Sequence, residues 1–170
     1  MLLPAEKVRD ATLHADQDVR DEAVYYFANS HSSDPTLMPL VIQAIEKHGF
    51  ENAFSSYSFL EEIVQTDETV RWLIQQLDRL EPPTNAKEAD PILAYISALT
   101  HADPTVLKNH ESEIMALENL DPLSRDAISE QISFPSRPPE ELWDDLKTSA
   151  RPRKRWAQFP MRTLISLVGS

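Results

Sequence analysis

The architecture can be argued from one stretch, Leu13–Val24, whose sequence is LHADQDVRDEAV. It places the polar residues Asp16 and Asp18 between the end of one apolar segment and a second segment that opens on the β-branched Val19. An aspartate carboxylate ahead of an apolar run satisfies backbone N–H groups that a helix leaves unpaired at its start. The stretch therefore predicts the end of one helix, a short turn and the start of the next helix.

Similar stretches recur along the chain. Leu99–Val106, with the sequence LTHADPTV, repeats the order of histidine, alanine, aspartate and valine that follows Leu13, and His31–Leu37 is a looser third copy. A helix–turn–helix unit that is used several times predicts an array of helical hairpins.

Apolar residues repeat with the period of an α-helix in most of the chain. The pattern i, i+3, i+4, i+7 is found in segments 37–45, 53–64 and 70–80, and no segment shows the sustained alternation of a half-buried strand. Aspartate followed by proline marks further helix starts at 34–35, 90–91, 103–104 and 121–122. The sequence predicts an all-α protein with helices near 4–14, 18–30, 35–48, 51–64, 67–80, 87–101, 104–119, 122–132 and 139–150.

Composition excludes several classes of function. The 170 residues include no cysteine, which excludes disulfide frameworks and thiolate chemistry. They include only two glycines, Gly49 and Gly169, which excludes the glycine-rich phosphate cradles of nucleotide-binding folds. No apolar run approaches the ~20 residues that span a bilayer, and Met1–Pro4 leads directly into charged residues without a signal-peptide pattern. We expect a soluble, cytoplasmic protein with no membrane association.

Charge divides the chain into two parts. Residues 1–135 carry 9 Lys and Arg against 24 Asp and Glu, a net charge of −15, whereas residues 136–170 carry 7 against 4, a net charge of +3. The proline-rich stretch Phe134–Pro139 cannot continue a helix. We therefore predict a helical repeat domain at 1–135 and a proline-bounded helical and basic element at 136–170 that packs on this domain or extends it.

Leu13–Val24 resembles the HEAT-repeat signature, in which an Asp-rich turn between helices precedes valine, arginine and small apolar residues. Residues 66–80 resemble the same signature over a shorter pattern. The resemblance implies an irregular α-α superhelix, a right-handed HEAT-like solenoid of roughly four helical hairpins. It also implies that the turn aspartates and the helix-opening arginines brace adjacent repeats, which assigns structural roles to Asp16, Asp18, Arg20 and Arg71.

Polar motifs give no positive sign of catalysis. No serine lies in a Gly-x-Ser-x-Gly elbow, and adjacent carboxylates such as Glu61 and Glu62 are typical of a solvated helix face. The one pattern of metal-ligand type, His14-x-Asp16-x-Asp18, has helix capping as its alternative interpretation. The C-terminal, negative end of a helix dipole favours a positively charged imidazole. Four histidines lie near predicted helix C-termini: His14, His31, His48 and His101. We predict no enzyme activity, no metal site and no cofactor.

Aromatic residues are the candidates for partner contacts. Tyr25, Tyr26 and Phe27 cannot all face one core, because consecutive helical residues point in different directions. Tyr57 lies among small polar residues, and Trp72 is offset from the neighbouring apolar stripe. We predict that a protein partner contacts Tyr25, Tyr26, Tyr57 and Trp72, the alternative being packing between neighbouring repeats.

A basic segment follows the predicted helix 139–150. Its positive residues, Arg151, Arg153, Lys154 and Arg155, precede Trp156, so the segment could bind anions such as phosphates or an acidic partner. The alternative is that it neutralises the acidic body or forms a solvated tail.

These features predict a non-catalytic scaffold or adaptor that binds a protein, such as a basic helix or peptide, through one face of the solenoid. The alternative is a nucleic-acid-associated HEAT-like protein that uses the basic segment, although an acidic body repels a phosphate backbone. A third hypothesis is a HEAT-like lyase or glycosylase, which requires a deep pocket with a buried carboxylate of raised pKa.

Overall fold

The computed structural model describes residues 4–81, 83 and 86–133, and every regular element within these ranges is helical. The all-α prediction is confirmed. The described residues belong to a compact unit that spans 1–135, whereas the predicted helix 139–150 lies outside them. The helices are α1 (Ala5–Asp10), α2 (Gln17–Asn29), α3 (Leu37–His48), α4 (Phe50–Ala53), α5 (Asp67–Arg79), α6 (Ala86–Thr100), α7 (Pro104–Asn109), α8 (Glu111–Met115) and α9 (Pro122–Ser133), with short 3₁₀ turns at Ala11–Leu13 and Ser58–Glu61.

Aspartate side chains begin three of these helices. Asp16 Oδ1 accepts the Asp18 N–H at 3.0 Å at the start of α2, and Asp103 Oδ1 accepts the Thr105 N–H at 2.7 Å at the start of α7. Asp121 does the same for α9, where its Oδ1 accepts the Leu123 N–H at 3.0 Å. The helix starts predicted at 103–104 and 121–122 are confirmed.

The other two Asp-Pro pairs do not begin a helix. Asp34 Oδ1 accepts both the backbone N–H and the hydroxyl of Thr36, at 2.9 and 2.7 Å, so it closes a turn and α3 starts only at Leu37. Pro91 lies inside α6. The four residues 86–89, Ala-Lys-Glu-Ala, are strong helix formers and extend that helix upstream of the proline.

The predicted helix 51–64 is wrong. Helix α4 ends at Ala53, and Phe54 has an extended backbone with φ −141° and ψ 154°. The Arg20 guanidinium donates to the carbonyl oxygens of Ala53, at 2.8 Å, and Asn52, at 2.6 Å, while the Asp21 carboxylate accepts the Ser55 N–H at 3.1 Å. The backbone groups that would extend α4 are thus paired with side chains of α2, and the helix stops.

The predicted helix 104–119 is divided at His110. This residue has φ −116° and ψ 11°, and it ends α7 and precedes α8. Its side chain is only 5% exposed and lies 3.3 Å from the Asp67 carboxylate at the start of α5. The chain therefore turns where this imidazole packs against α5.

The core is built from the apolar stripes of the long helices. Val41 and Ala44 of α3 and Val70 and Leu73 of α5 are fully buried, as the helical periodicity predicts. Val19 is an exception, because it is 36% exposed although the sequence pattern aligns it with the buried stripe of α2. Arg20, the next residue, takes the buried position in that turn.

Candidate aromatic groove

Three of the four predicted contact residues lie on one continuous line of aromatic rings. Tyr25, Tyr57 and Trp72 are each half-buried against the core. Tyr26 is separate: it is 47% exposed on α2 and meets Phe27 edge-on at a centroid distance of 5.3 Å. The structure therefore brings together three of the candidates and leaves the fourth outside the line.

We call this line the aromatic row. Its successive centroid distances are 5.8 Å from Tyr25 to Phe59, 6.0 Å from Phe59 to Tyr57 and 3.9 Å from Tyr57 to Phe50. The row continues over 5.6 Å from Phe50 to Tyr95 and 5.5 Å from Tyr95 to Trp72. Phe54 joins it edge-on to both Tyr57 and Phe59, at 5.8 and 5.1 Å. The row connects α2, the segment 50–59, α6 and α5.

An open cavity of about 560 Å³ lies beside the middle of this row. We call it the groove. It is formed between the start of α6 and the segment where the helix predicted at 51–64 is broken. Its described lining residues are Phe50, Glu51, Phe54, Ser55, Ser56, Tyr57, Asp90 and Pro91.

The wall of the groove is held in place by the Phe50–Tyr57 pair. The two rings stack with an interplanar angle of 10°, and the Tyr57 hydroxyl donates to the Phe50 carbonyl oxygen. Burial raises the pKa of Tyr57 well above its ordinary value, so the phenol stays neutral. Gly49, with φ 78°, lets the chain leave α3 and enter α4 directly before this pair.

The charged residues among the described lining of the groove are negative. Glu51 and Asp90 line it, and the Asp21 carboxylate holds the Ser55 N–H. None of the described lining residues is basic. The nearby cation Arg20 is only 2% exposed and is directed at backbone carbonyls, so it does not present its charge to the groove.

Trp72 fixes the far end of the row. Its indole N–H donates to Glu46 Oε1 at 3.2 Å, which ties α5 to α3, and its ring meets Tyr95 nearly at right angles. Burial raises the pKa of Tyr95 to about 12. These residues stabilise the packing of α3, α5 and α6, and they also set the position of the groove.

The histidine and carboxylate candidates lie at helix ends and on solvated surfaces. His14 Nδ1 accepts the Asp16 N–H at 3.1 Å, and His101 Nδ1–H donates to the Ser97 carbonyl at 2.9 Å at the end of α6. Glu61 accepts the Ser97 hydroxyl at 2.5 Å, and Glu62 pairs with His31 at 3.1 Å. In the part of the chain that the structure describes, no three His, Cys, Asp or Glu side chains are arranged to hold a metal ion.

Sequence reasoning missed most of the groove lining. Phe50, Phe54 and Ser55 were not among the predicted contact residues, because Phe50 lies between two predicted helices and the periodicity placed Phe54 and Ser55 on the helix predicted at 51–64. The available signal was the pair Ser55-Ser56 after Gly49, since serine side chains compete for helical backbone groups. The candidate anion-binding residues Arg151, Arg153, Lys154 and Arg155 lie outside the described residues.

Comparison with known proteins finds no matching family, no matching curated protein and no matching solved structure. Among the helices of residues 4–81 and 86–133, none combines the length and the apolarity that crossing a bilayer requires.

Proposed function

We propose that this protein is a non-catalytic scaffold or adaptor that binds another protein at the groove. The observation that carries the proposal is an open cavity of about 560 Å³ whose wall is a stacked aromatic pair rather than a catalytic constellation. Aromatic side chains provide rigid contact area at low entropic cost and are the commonest anchors of protein interfaces. Because the row is packed on four elements, this wall needs little ordering when a partner binds.

We further propose that the helices form an irregular HEAT-like solenoid. Two arginines support this arrangement, each placed four residues after a capping aspartate. Arg20 follows Asp16 and donates to the carbonyls of His14, Ala15, Asn52 and Ala53, while Arg125 follows Asp121 and donates to those of Met115, Leu117 and Leu120. A bracing residue at the same position of two helix starts is what a repeated supersecondary unit requires. A cytoplasmic location is part of the same proposal.

Site-specific crosslinking tests the adaptor function. p-Benzoylphenylalanine in place of Ser56 reaches from the exposed edge of the groove, and the same group in place of Glu130 on the exposed side of α9 is the matched control. We expect one discrete protein adduct from position 56 in the native lysate, insensitive to nuclease and absent at position 130. That protein, once purified, should bind the wild type and lose binding to Ser56→Arg.

Three results would contradict the proposal. These are no adduct at position 56, the same adducts at both positions, or binding of the purified protein that Ser56→Arg leaves unchanged. An adduct that disappears with nuclease would favour the nucleic-acid alternative, which Arg153→Ala and Arg155→Ala then test.

Tyr26 is proposed as a second contact, on the same face of α2 as the exposed Val19 about two turns earlier. Tyr26→Ala should keep the circular dichroism of the wild type and weaken binding of the same partner. A variant that instead unfolds would show that Tyr26 contributes to the core.

A further inference from the structure

The lining of the groove limits the chemistry of its occupant. Aliphatic side chains are nearly absent from the described wall, which combines three aromatic rings, two serines, one proline and two carboxylate residues, Glu51 and Asp90. An apolar helix would desolvate the serine hydroxyls and the Asp90 carboxylate without offering them hydrogen bonds, which is costly. An anion would be repelled by the carboxylates and by the surrounding net charge of −15 on residues 1–135.

A cation is attracted both by the aromatic rings and by the carboxylates of this lining. The face of an aromatic ring attracts ammonium and guanidinium groups, and the planar guanidinium also stacks on rings. The exposed Asp90, which α6 contributes to the lining, can accept hydrogen bonds from such a group. Arginine matches this combination better than lysine, because its donors form a planar fork that fits a carboxylate.

We propose that the groove binds an arginine side chain of an extended, basic peptide segment, with the guanidinium on the Phe50–Tyr57 pair and facing Asp90. This inference rests on the proposed function and specifies the chemistry of the partner. The cavity of about 560 Å³ falls within the range of ligand pockets and leaves room for the residues beside the arginine.

The experiment uses the full chain and three short labelled peptides that differ at one position. The position holds arginine, lysine or citrulline, the last being the neutral analogue of arginine. Fluorescence anisotropy should give the tightest binding for arginine, weaker binding for lysine and at least about tenfold weaker binding for citrulline. Asp90→Asn should weaken the arginine peptide about fivefold and leave the citrulline peptide unchanged.

Two variants separate the groove from the general charge of the protein. Asp126→Asn removes one exposed carboxylate from α9, which contributes no described residue to the groove, and it should change binding less than twofold. Tyr57→Leu removes one ring of the wall and should weaken binding by about fivefold. Circular dichroism identifies any variant that unfolds, and the Asp90 comparison remains valid because that side chain is exposed.

The outcomes distinguish the two proposals. If citrulline binds as tightly as arginine and Ser56→Arg abolishes both, the groove binds peptides and the arginine inference is overturned. Equal losses in Asp90→Asn and Asp126→Asn also overturn it, since the attraction would then be non-specific. If no peptide binds at concentrations up to about 1 mM, the arginine inference fails, and the crosslinking at position 56 decides the adaptor function separately.

Discussion

Arg20 carries a buried positive charge that is hydrogen-bonded to four backbone carbonyls. Its guanidinium donates to the oxygens of His14 at 2.6 Å, Ala15 at 2.9 Å, Asn52 at 2.6 Å and Ala53 at 2.8 Å. Two of these oxygens precede α2 and two end α4, so one side chain joins segments more than 30 residues apart in sequence. Carbonyls at a helix C-terminus carry partial negative charge, which compensates the cation.

Replacement of Arg20 should therefore be strongly destabilising. Arg20→Met leaves four carbonyl oxygens without their donor and should lower the free energy of unfolding by about 3 kcal/mol. That loss corresponds to a decrease in Tm of about 10 °C for a chain of this size. Thermal denaturation followed by circular dichroism measures it.

Arg71 provides the matched control. It also follows a helix start, that of α5, but its side chain is exposed. Arg71→Met should change the free energy of unfolding by no more than about 0.5 kcal/mol. Equal losses in the two variants would contradict the assigned role of Arg20.

The buried phenol of Tyr95 makes the stability of the protein depend on pH in the alkaline range. Burial raises its pKa from an ordinary value of 10.0 to about 12, so the unfolded chain releases this proton at a lower pH than the folded protein. The contribution of Tyr95 to stability is then fully present below pH 10 and is lost as the pH rises from 10 to about 12. Tyr95→Phe keeps the ring, and we expect it to reduce this alkaline loss, measured as Tm against pH. An unchanged profile would show that the phenol of Tyr95 ionises freely in the folded protein.

At the scale of single helices, capping aspartates fix where helices begin. Asp103 accepts the Thr105 N–H at the start of α7. Hydrogen bonds from the Thr105 side chain and backbone hold the pKa of Asp103 below its ordinary value of 3.8. Asp103→Ala should cost about 1 kcal/mol of stability at neutral pH, whereas Asp103→Asn retains an acceptor and should cost less.

The pH dependence checks the same cap. Since the pKa of Asp103 is lowered in the folded state, its contribution is present above pH 3.8 and is lost as the pH falls below that value. Asp103→Asn has no proton to bind there, so its Tm should decrease less than that of the wild type on acidification. A parallel decrease in both proteins would exclude an ionised cap at this position.

The limits of sequence reasoning are also found at the level of helices. The apolar stripe was sufficient to predict α3 and α5, and the capping residue Asp16 was sufficient to predict the start of α2. These local signals failed after Ala53, where the backbone groups needed for another turn are taken by Arg20 and Asp21 from a different helix. Such pairing depends on contacts between residues that are far apart in sequence, so the hydrophobic periodicity of one segment cannot predict it. The groove is formed by this break, which is why its lining was only partly predicted.

The whole molecule adds a long-range field to these local contacts. A net charge of −12, with −15 on residues 1–135, attracts a basic partner from beyond contact distance and thus accelerates encounter. This attraction is screened by salt, because the Debye length falls to about 3 Å at 1 M ionic strength. Contacts within the groove are screened less.

Salt should therefore act on association more than on dissociation. For the arginine peptide, stopped-flow anisotropy should show an association rate that falls about tenfold between low and high salt, with a dissociation rate that changes little. Asp126→Asn should lower only the association rate, and by a small factor, whereas Asp90→Asn should also increase the dissociation rate. If salt acts mainly on dissociation, the attraction resides in the contact itself and the acidic body does not guide the encounter. The association rate thus measures the long-range attraction of the acidic chain, and the dissociation rate measures the contacts within the groove.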